Sequence, residues 1–214
     1  MSQPHPAATP TWVTWADYIA LPDDDRRELI DGVLVEVEVP TNLHEWIVSE
    51  LLFALKLWTR ANGGVVIGSG YKVRISDERA FMPDIQLYRA DHRQRFVGQA
   101  QGLADGVPDL VVEVISPSSR RYDRLLKLQG YAAIEVPEYW IVDPQARTIE
   151  RLRLIDGTYA FVGGAAGDEV LAPESFPGFE VQLAGLWLDD ETVGAKPSAE
   201  KGGEEGAAKG GDEG

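Results

Sequence analysis

The sequence predicts an α/β fold in which a mixed central β-sheet is flanked by helices. The apolar runs at 110–115 and 138–142 are short, as expected for strands buried on both faces. A helical segment over about 119–134 joins them, which leaves room for a right-handed crossover between parallel strands. Asp-Gly turns at Asp31 and Asp156 predict antiparallel hairpins, so the sheet is expected to be mixed.

The first third of the chain predicts two helices and one hairpin. Thr14 is a suitable cap for a short helix over 14–21. In the hairpin over 28–39, valines alternate with leucine and glutamate, which is the pattern of a half-buried strand. The clearest helix covers 43–61, because apolar residues recur there every three or four positions, and Asn62-Gly63-Gly64 ends it.

The remaining elements are strands and one long connection. Residues 65–75 and 84–88 have strand character, and each is followed by polar turn residues. Residues 147–154 and 158–162 are expected to form the second hairpin. The polar stretch 89–107 is a connection of a length that is often functional or mobile.

The composition indicates one soluble domain with two tails. A chain of 214 residues can bury one substantial core, and it has no apolar run long enough to cross a membrane. We expect a flexible arm at 1–13, a folded domain at 14–190 and a disordered tail at 191–214. The chain has no cysteine, which excludes disulfides and thiolate chemistry, and we expect it to be cytoplasmic because no secretory signal is evident.

Glu113 is the residue that most requires a chemical explanation. It lies within the apolar run LVVEVI, and an ionised carboxylate in a buried strand is costly unless it is paired or bound to metal. A metal site would meet this requirement, and the alternatives are a core ion pair or exposure of the side chain at the end of the strand. Asp84 opens another predicted strand, whereas Asp109 lies about 13 Å before Glu113 along its own strand and is expected to cap the strand start.

A lysine and two carboxylates together suggest a particular chemistry. Asp84 and Glu113 could hold one Mg²⁺ (or Mn²⁺) at the ends of neighbouring strands, because Mg²⁺ prefers oxygen ligands. Lys127 follows on the next helix, four residues before Tyr131, among leucines. It could stabilise charge at that site, or pair with Asp123 on a solvated helix face. As a partly exposed side chain it is expected to contribute little to stability. His44 lies at the start of the long helix, where a histidine is more often structural than catalytic.

Four stretches resemble the Uma-type family of restriction-endonuclease-fold proteins, which is similar to the PD-(D/E)XK nuclease superfamily. They are RELIDGVLVE, MPDIQLY, PDLVVEVISPSS and DRLLKLQGYAAIEVPEYWIVDP. The resemblance covers roughly residues 14–185 and is most specific between 108 and 144. It implies a restriction-endonuclease-like core.

The resemblance also implies site residues. The superfamily motif aligns with Pro83-Asp84 and with the segment that begins at Glu113. Its last position, a lysine in the parent motif, is Ile115 here, and the resemblance implies that Lys127 supplies the missing charge. Glu28 matches an acidic residue of the first conserved segment. Catalytic residues are therefore expected at Asp84, Glu113, Lys127 and Glu28, with metal ligands at Asp84 and Glu113.

Two functions from different classes follow from these observations. The first is a metal-dependent endonuclease that hydrolyses DNA phosphodiester bonds. The second is a non-catalytic domain of the same fold that acts as a binding or regulatory module. The formal charge of −15 favours the second, since an acidic surface repels DNA. A hydrolase with two catalytic carboxylates fits less well, because it gives Lys127 no role.

A homodimer is expected from the long helix. Trp46, Phe53 and Leu57 lie off its main apolar stripe, and so broad an apolar surface usually marks a partner. Burial on most sides within one subunit is the alternative. Closed twofold symmetry is the commonest assembly, and it would suit an enzyme that cuts two strands.

Overall fold

A computed structural model of the chain describes residues 12–22, 24–37, 39–96, 103–104, 106–116 and 123–188. The helices are α1 (Trp15–Ile19), α2 (Asn42–Asn62) and α3 (Leu128–Ala133), with a π-helical turn (Asp123–Lys127) directly before α3 and two 3-10 helices (Ala90–Arg95 and Leu183–Gly185). The strands are β1 (Glu28–Ile30), β2 (Val33–Val35), β3 (Val65–Ile67), β4 (Lys72–Arg74), β5 (Ala80–Phe81), β6 (Ile85–Tyr88), β7 (Leu103–Ala104), β8 (Leu110–Val114), β9 (Glu138–Asp143), β10 (Thr148–Ile155), β11 (Thr158–Ala166), β12 (Val170–Leu171) and β13 (Val181–Gln182).

The central sheet has six strands in the order β11-β10-β9-β8-β6-β3. Strands β8 and β9 are parallel, and the other neighbours are antiparallel. The π-helical turn and α3 form the crossover between β8 and β9. The predicted mixed sheet and its crossover are therefore confirmed.

The two faces of this sheet carry separate hydrophobic clusters. On one face, α2 packs against Val112 and Val114 of β8 and against the C-terminal segment around Phe176. On the other face, α3 packs against Val111 and Ile115. Side chains alternate along a strand, so Glu113 lies on the α3 face with its neighbours at 111 and 115.

A second sheet, which the sequence did not predict, lies beside the first. Its order is β2-β1-β5-β4-β7, and it holds Glu28 on β1. The expectation for the valines of the first hairpin was wrong. Val33 and Val35 are exposed, while Leu34 packs against Tyr18 and Leu29. Among the described residues, the valine face of β2 is therefore the solvent-facing one, and the leucine face is the one that packs.

The ends of the predicted elements follow from local chemistry. Helix α2 begins as expected, where the Thr41 hydroxyl accepts from the His44 amide at 3.2 Å, and it ends before Gly63, whose φ is 78°. Both Asp-Gly turns have positive φ at both central residues, as the tightest hairpins require. The expected strand at 65–75 is divided into β3 and β4, which belong to different sheets.

Some expectations lie partly outside the described residues. The connection at 89–107 contains a 3-10 helix and the short strand β7, with 97–102 and 105 outside the description. The expected tail and most of the expected arm are also outside it, so the three-part division stays a prediction. In the part of the chain that is described, no helix is long and apolar enough to span a membrane.

Candidate active site

Glu113 contacts a lysine and a tyrosine within the protein. The Lys127 Nζ lies 2.9 Å from its Oε2, and the Tyr131 hydroxyl donates to its Oε1 at 2.6 Å. The glutamate is only 4% exposed, so these contacts replace the water that it loses on burial. The carboxylate that the sequence identified as costly is thus held by a cation and a neutral donor.

Lys127 is buried, which corrects the expectation of a partly exposed side chain. It is 6% exposed, and its Nζ also lies 3.3 Å from the Glu28 Oε1. Its place at the end of the π-helical turn, directly before α3, brings the ammonium towards the sheet. One lysine therefore bridges two buried carboxylates, one on each sheet.

Glu28 connects the two sheets at this point. It is 3% exposed, and its Oε1 accepts from the Met82 amide at 2.9 Å. Met82 lies between β5 of the second sheet and β6 of the central sheet. The acidic residue of the first hairpin thus lies beside Lys127 and Glu113, although 85 residues separate it from Glu113 in the sequence.

Asp84 lies at the start of β6, next to Glu113 in the sheet. The pairing of Ile85 with Val112, continued by one residue, places Asp84 opposite Glu113. Its Oδ2 accepts from the Val114 amide at 2.8 Å and contacts the His44 Nε2 at 3.2 Å. Among the described residues, the Asp84 Oδ1 has no hydrogen-bond partner. One oxygen therefore fixes the carboxylate while the other stays available.

His44 reaches the site from α2, on the other side of the sheet. The Thr41 cap places it in the first turn, and its Nε2 contacts Asp84. Its Nδ1 is buried without a hydrogen bond, at 3.5 Å from the Glu45 Oε1. Burial alone lowers the pKa of His44, but the hydrogen bond and charge of Asp84, with Glu45, outweigh it and raise that pKa.

Tyr131 is a site residue for which no role was predicted. Its spacing of four from Lys127 was visible, and this spacing places both side chains on one face of a helix. The tyrosine is fully buried, and burial together with the nearby Glu113 charge raises its pKa well above 10. The phenol consequently stays protonated and acts as a hydrogen-bond donor.

Asp109 lies away from this cluster, as expected. It precedes the first residue of β8, where its carboxylate accepts from the Arg89 amide at 2.7 Å and contacts the His92 Nδ1 at 2.6 Å. These contacts fix the start of β8 and the 3-10 helix over 90–95. Its role there is structural.

The described part of the cluster joins acidic side chains to a lysine and a histidine. Glu28 and Glu113 contact Lys127, and Asp84 contacts His44. Among the described residues, no three His, Asp or Glu side chains are arranged as a metal-binding group. A pair of carboxylates with water still suits Mg²⁺, which usually takes one or two carboxylates and keeps several waters. The available Asp84 Oδ1 fits that requirement, and Glu113 is a second carboxylate, opposite Asp84 on the neighbouring strand.

Comparison with known proteins shows which family and which fold this chain resembles. The family model "Uma2: Putative restriction endonuclease" matches residues 15–184. No curated protein matches the sequence. A crystal structure from Anabaena variabilis ATCC 29413, described as "a putative nuclease belonging to DUF820", is similar with a TM-score of 0.66 and 16% identity. The similarity covers 82% of this chain and 97% of that chain, and it supports the restriction-endonuclease-like fold.

Proposed function

The chain belongs to the Uma2 family, and on that premise we propose that it is a metal-dependent endonuclease that hydrolyses DNA phosphodiester bonds. One observation carries the proposal. Glu28 is far in the sequence from Glu113 and Lys127 but meets them in one buried cluster, and Asp84 adjoins it through the Val114 amide. A purely structural core gains little by burying so many charges, because desolvation offsets most of their attraction.

In this proposal Asp84 and Glu113 hold the metal. When bound, Mg²⁺ polarises a phosphate oxygen and lowers the pKa of a bound water. Asp84 is prepared for this role, because the Val114 amide and His44 fix its Oδ2 and leave Oδ1 available. We assign His44 the task of orienting Asp84, and Tyr131 the task of orienting Glu113.

Lys127 takes the place of the lysine that the parent motif has at position 115. Ile115 is on the same strand face as Glu113, but it is 2% exposed and packs in the apolar cluster under α3. Lys127 instead delivers its ammonium to the Glu113 Oε2 from the crossover. A fixed cation there would offset the charge that develops on the phosphate during hydrolysis.

The test is a cleavage assay on supercoiled and linear DNA with Mg²⁺ or Mn²⁺. We expect the wild-type protein to cleave DNA and a metal chelator to abolish the cleavage. Asp84→Asn should lower the cleavage rate by about 100-fold or more, on the scale seen when one preorganised catalytic group is lost. Asp109→Asn is a matched control, since it makes the same change at a buried carboxylate outside the cluster. Full cleavage by Asp84→Asn, or loss of cleavage only through unfolding, would contradict the proposal.

A non-catalytic binding or regulatory module is the second candidate function. Two observations favour it: both oxygens of Glu113 already have protein partners, and the chain has a formal charge of −15. Residues 189–214 contain eight acidic and three basic residues, so part of that charge lies beyond the described residues. A folded wild-type protein that cuts no DNA with either metal would support this candidate over the enzyme.

A further inference from the structure

Helix α2 presents an apolar stripe that nothing in the described protein covers. Trp46, Phe53 and Leu57 are 39%, 59% and 47% exposed. At 100° per residue, their spacings of seven and four place them along one line of the helix surface. The opposite side of α2, with Ile47, Leu51 and others, faces the central sheet. We call the three exposed residues the α2 stripe.

The stripe is fixed in position at its N-terminal end. The Trp46 Nε1 donates to the Gly185 carbonyl at 3.0 Å, which orients the indole against the 3-10 helix Leu183–Gly185. Phe53 and Leu57 stand four residues apart on a rigid helix of 21 residues. A partner would therefore meet a surface that needs little reordering.

Charges on one flank of the stripe differ between its ends. Glu45 lies in the first turn of α2 and Arg60 in the last, and their helical positions place both on the same side of the stripe. Both residues are exposed, and within the described protein Arg60 forms no ion pair. The flank is therefore acidic at one end and basic at the other.

We propose that the α2 stripe binds a second copy of this chain, with the two α2 helices antiparallel and a twofold axis near Phe53. A twofold axis perpendicular to the helix axes makes the two α2 helices antiparallel. It also puts the same flank of both helices on the same side of the interface. Residue 46 then lies opposite residue 60 of the partner, and Glu45 is within reach of the partner's Arg60. In a parallel pair, each charged residue would instead lie level with the same residue of the partner, so that like charges would be at the same height.

The same arrangement matches the apolar residues. Phe53 packs on the partner's Phe53 at the axis, and Trp46 faces the partner's Arg60, a favourable pairing of an indole with a guanidinium. The segment from 46 to 60 is about 21 Å long at ~1.5 Å per residue. The contact thus pairs opposite charges with each other and apolar residues with each other, as a self-complementary twofold interface must.

The experiment is sedimentation equilibrium of the full chain at micromolar to 100 µM concentration. The salt concentration is about 0.15 M, which screens the repulsion between two acidic chains beyond ~8 Å. We expect a wild-type mass of twice the 23.5 kDa chain mass. Arg60→Glu and, separately, Phe53→Ser should each weaken dimerisation at least tenfold. The double variant Glu45→Arg/Arg60→Glu should restore it. Arg93→Glu, an exposed arginine outside the stripe, is the matched control and should leave the dimer intact.

Each other outcome overturns the proposal. A wild-type monomer at 100 µM would show that the stripe binds no second copy. A dimer that survives both Arg60→Glu and Phe53→Ser would place the interface elsewhere. A double variant that stays monomeric while circular dichroism shows a folded protein would refute the antiparallel pairing. All variants lie on exposed positions, so their folding is not expected to change.

Discussion

Replacing Lys127 by methionine should destabilise the protein strongly. Methionine keeps most of the side-chain length but removes the ammonium from Glu113 and Glu28, both of which are less than 5% exposed. Removal of one partner from a buried ion pair costs about 3–5 kcal/mol, because the remaining charge is uncompensated. For a domain of this size, that corresponds to a melting temperature lower by about 6–20 °C.

Urea unfolding followed by tryptophan fluorescence measures this change in the free energy of unfolding. Lys127→Met/Glu113→Gln should recover about 1 kcal/mol or more of the loss, because the two positions are coupled through direct contact. Arg93→Met removes an exposed cation and should change stability by less than about 0.5 kcal/mol. A Lys127→Met loss as small as that of the control would refute our account of a buried lysine that bridges two carboxylates.

Three further predictions test the packing around the site. Tyr131→Phe removes the donor to Glu113, and urea unfolding should show a loss of about 1.5–3 kcal/mol; no loss would refute the bond. Gly130→Ala should lower stability by about 1–3 kcal/mol in the same assay, since the new Cβ would lie 2.4 Å from the Phe81 ring; an unchanged stability would contradict this close approach. Alkaline absorbance titration should show four tyrosines that stay protonated until the protein unfolds, because burial raises their folded-state pKa. The free energy of unfolding should fall as the pH rises above about 10, since the phenols of the unfolded chain ionise first. Ionisation of these four tyrosines in the folded protein near pH 10 would contradict the prediction. They are Tyr18, Tyr88, Tyr131 and Tyr159.

The central sheet could be predicted because its signals are local. The apolar run around Glu113 and the following strand are buried on both faces, so their composition alone indicates strands. The Asp-Gly turns specify hairpins through their positive φ. Beyond its β1–β2 hairpin, the second sheet could not be predicted, since its strands have two or three residues and their pairing depends on contacts distant in sequence.

The candidate site could be predicted only in part from the sequence, for the same reason. Glu113 was evident, because a glutamate in an apolar strand is costly wherever it lies. The burial of Lys127 was not evident, since a lysine among leucines also fits a solvated helix face. The contact between His44 and Asp84 joins positions 40 residues apart across two layers, and no local pattern encodes it.

The central claim is that Asp84 and Glu113 hold a divalent metal. Anomalous scattering from a crystal soaked in Mn²⁺ tests it most directly, because the signal locates the ion without reference to activity. We predict one strong peak within about 2.0–2.4 Å of the Asp84 Oδ1 and of a Glu113 oxygen, the range of metal–oxygen bonds. The peak should be absent from Asp84→Asn crystals. A fully soaked wild-type crystal with no peak at these carboxylates, or with its peak elsewhere, would contradict the claim.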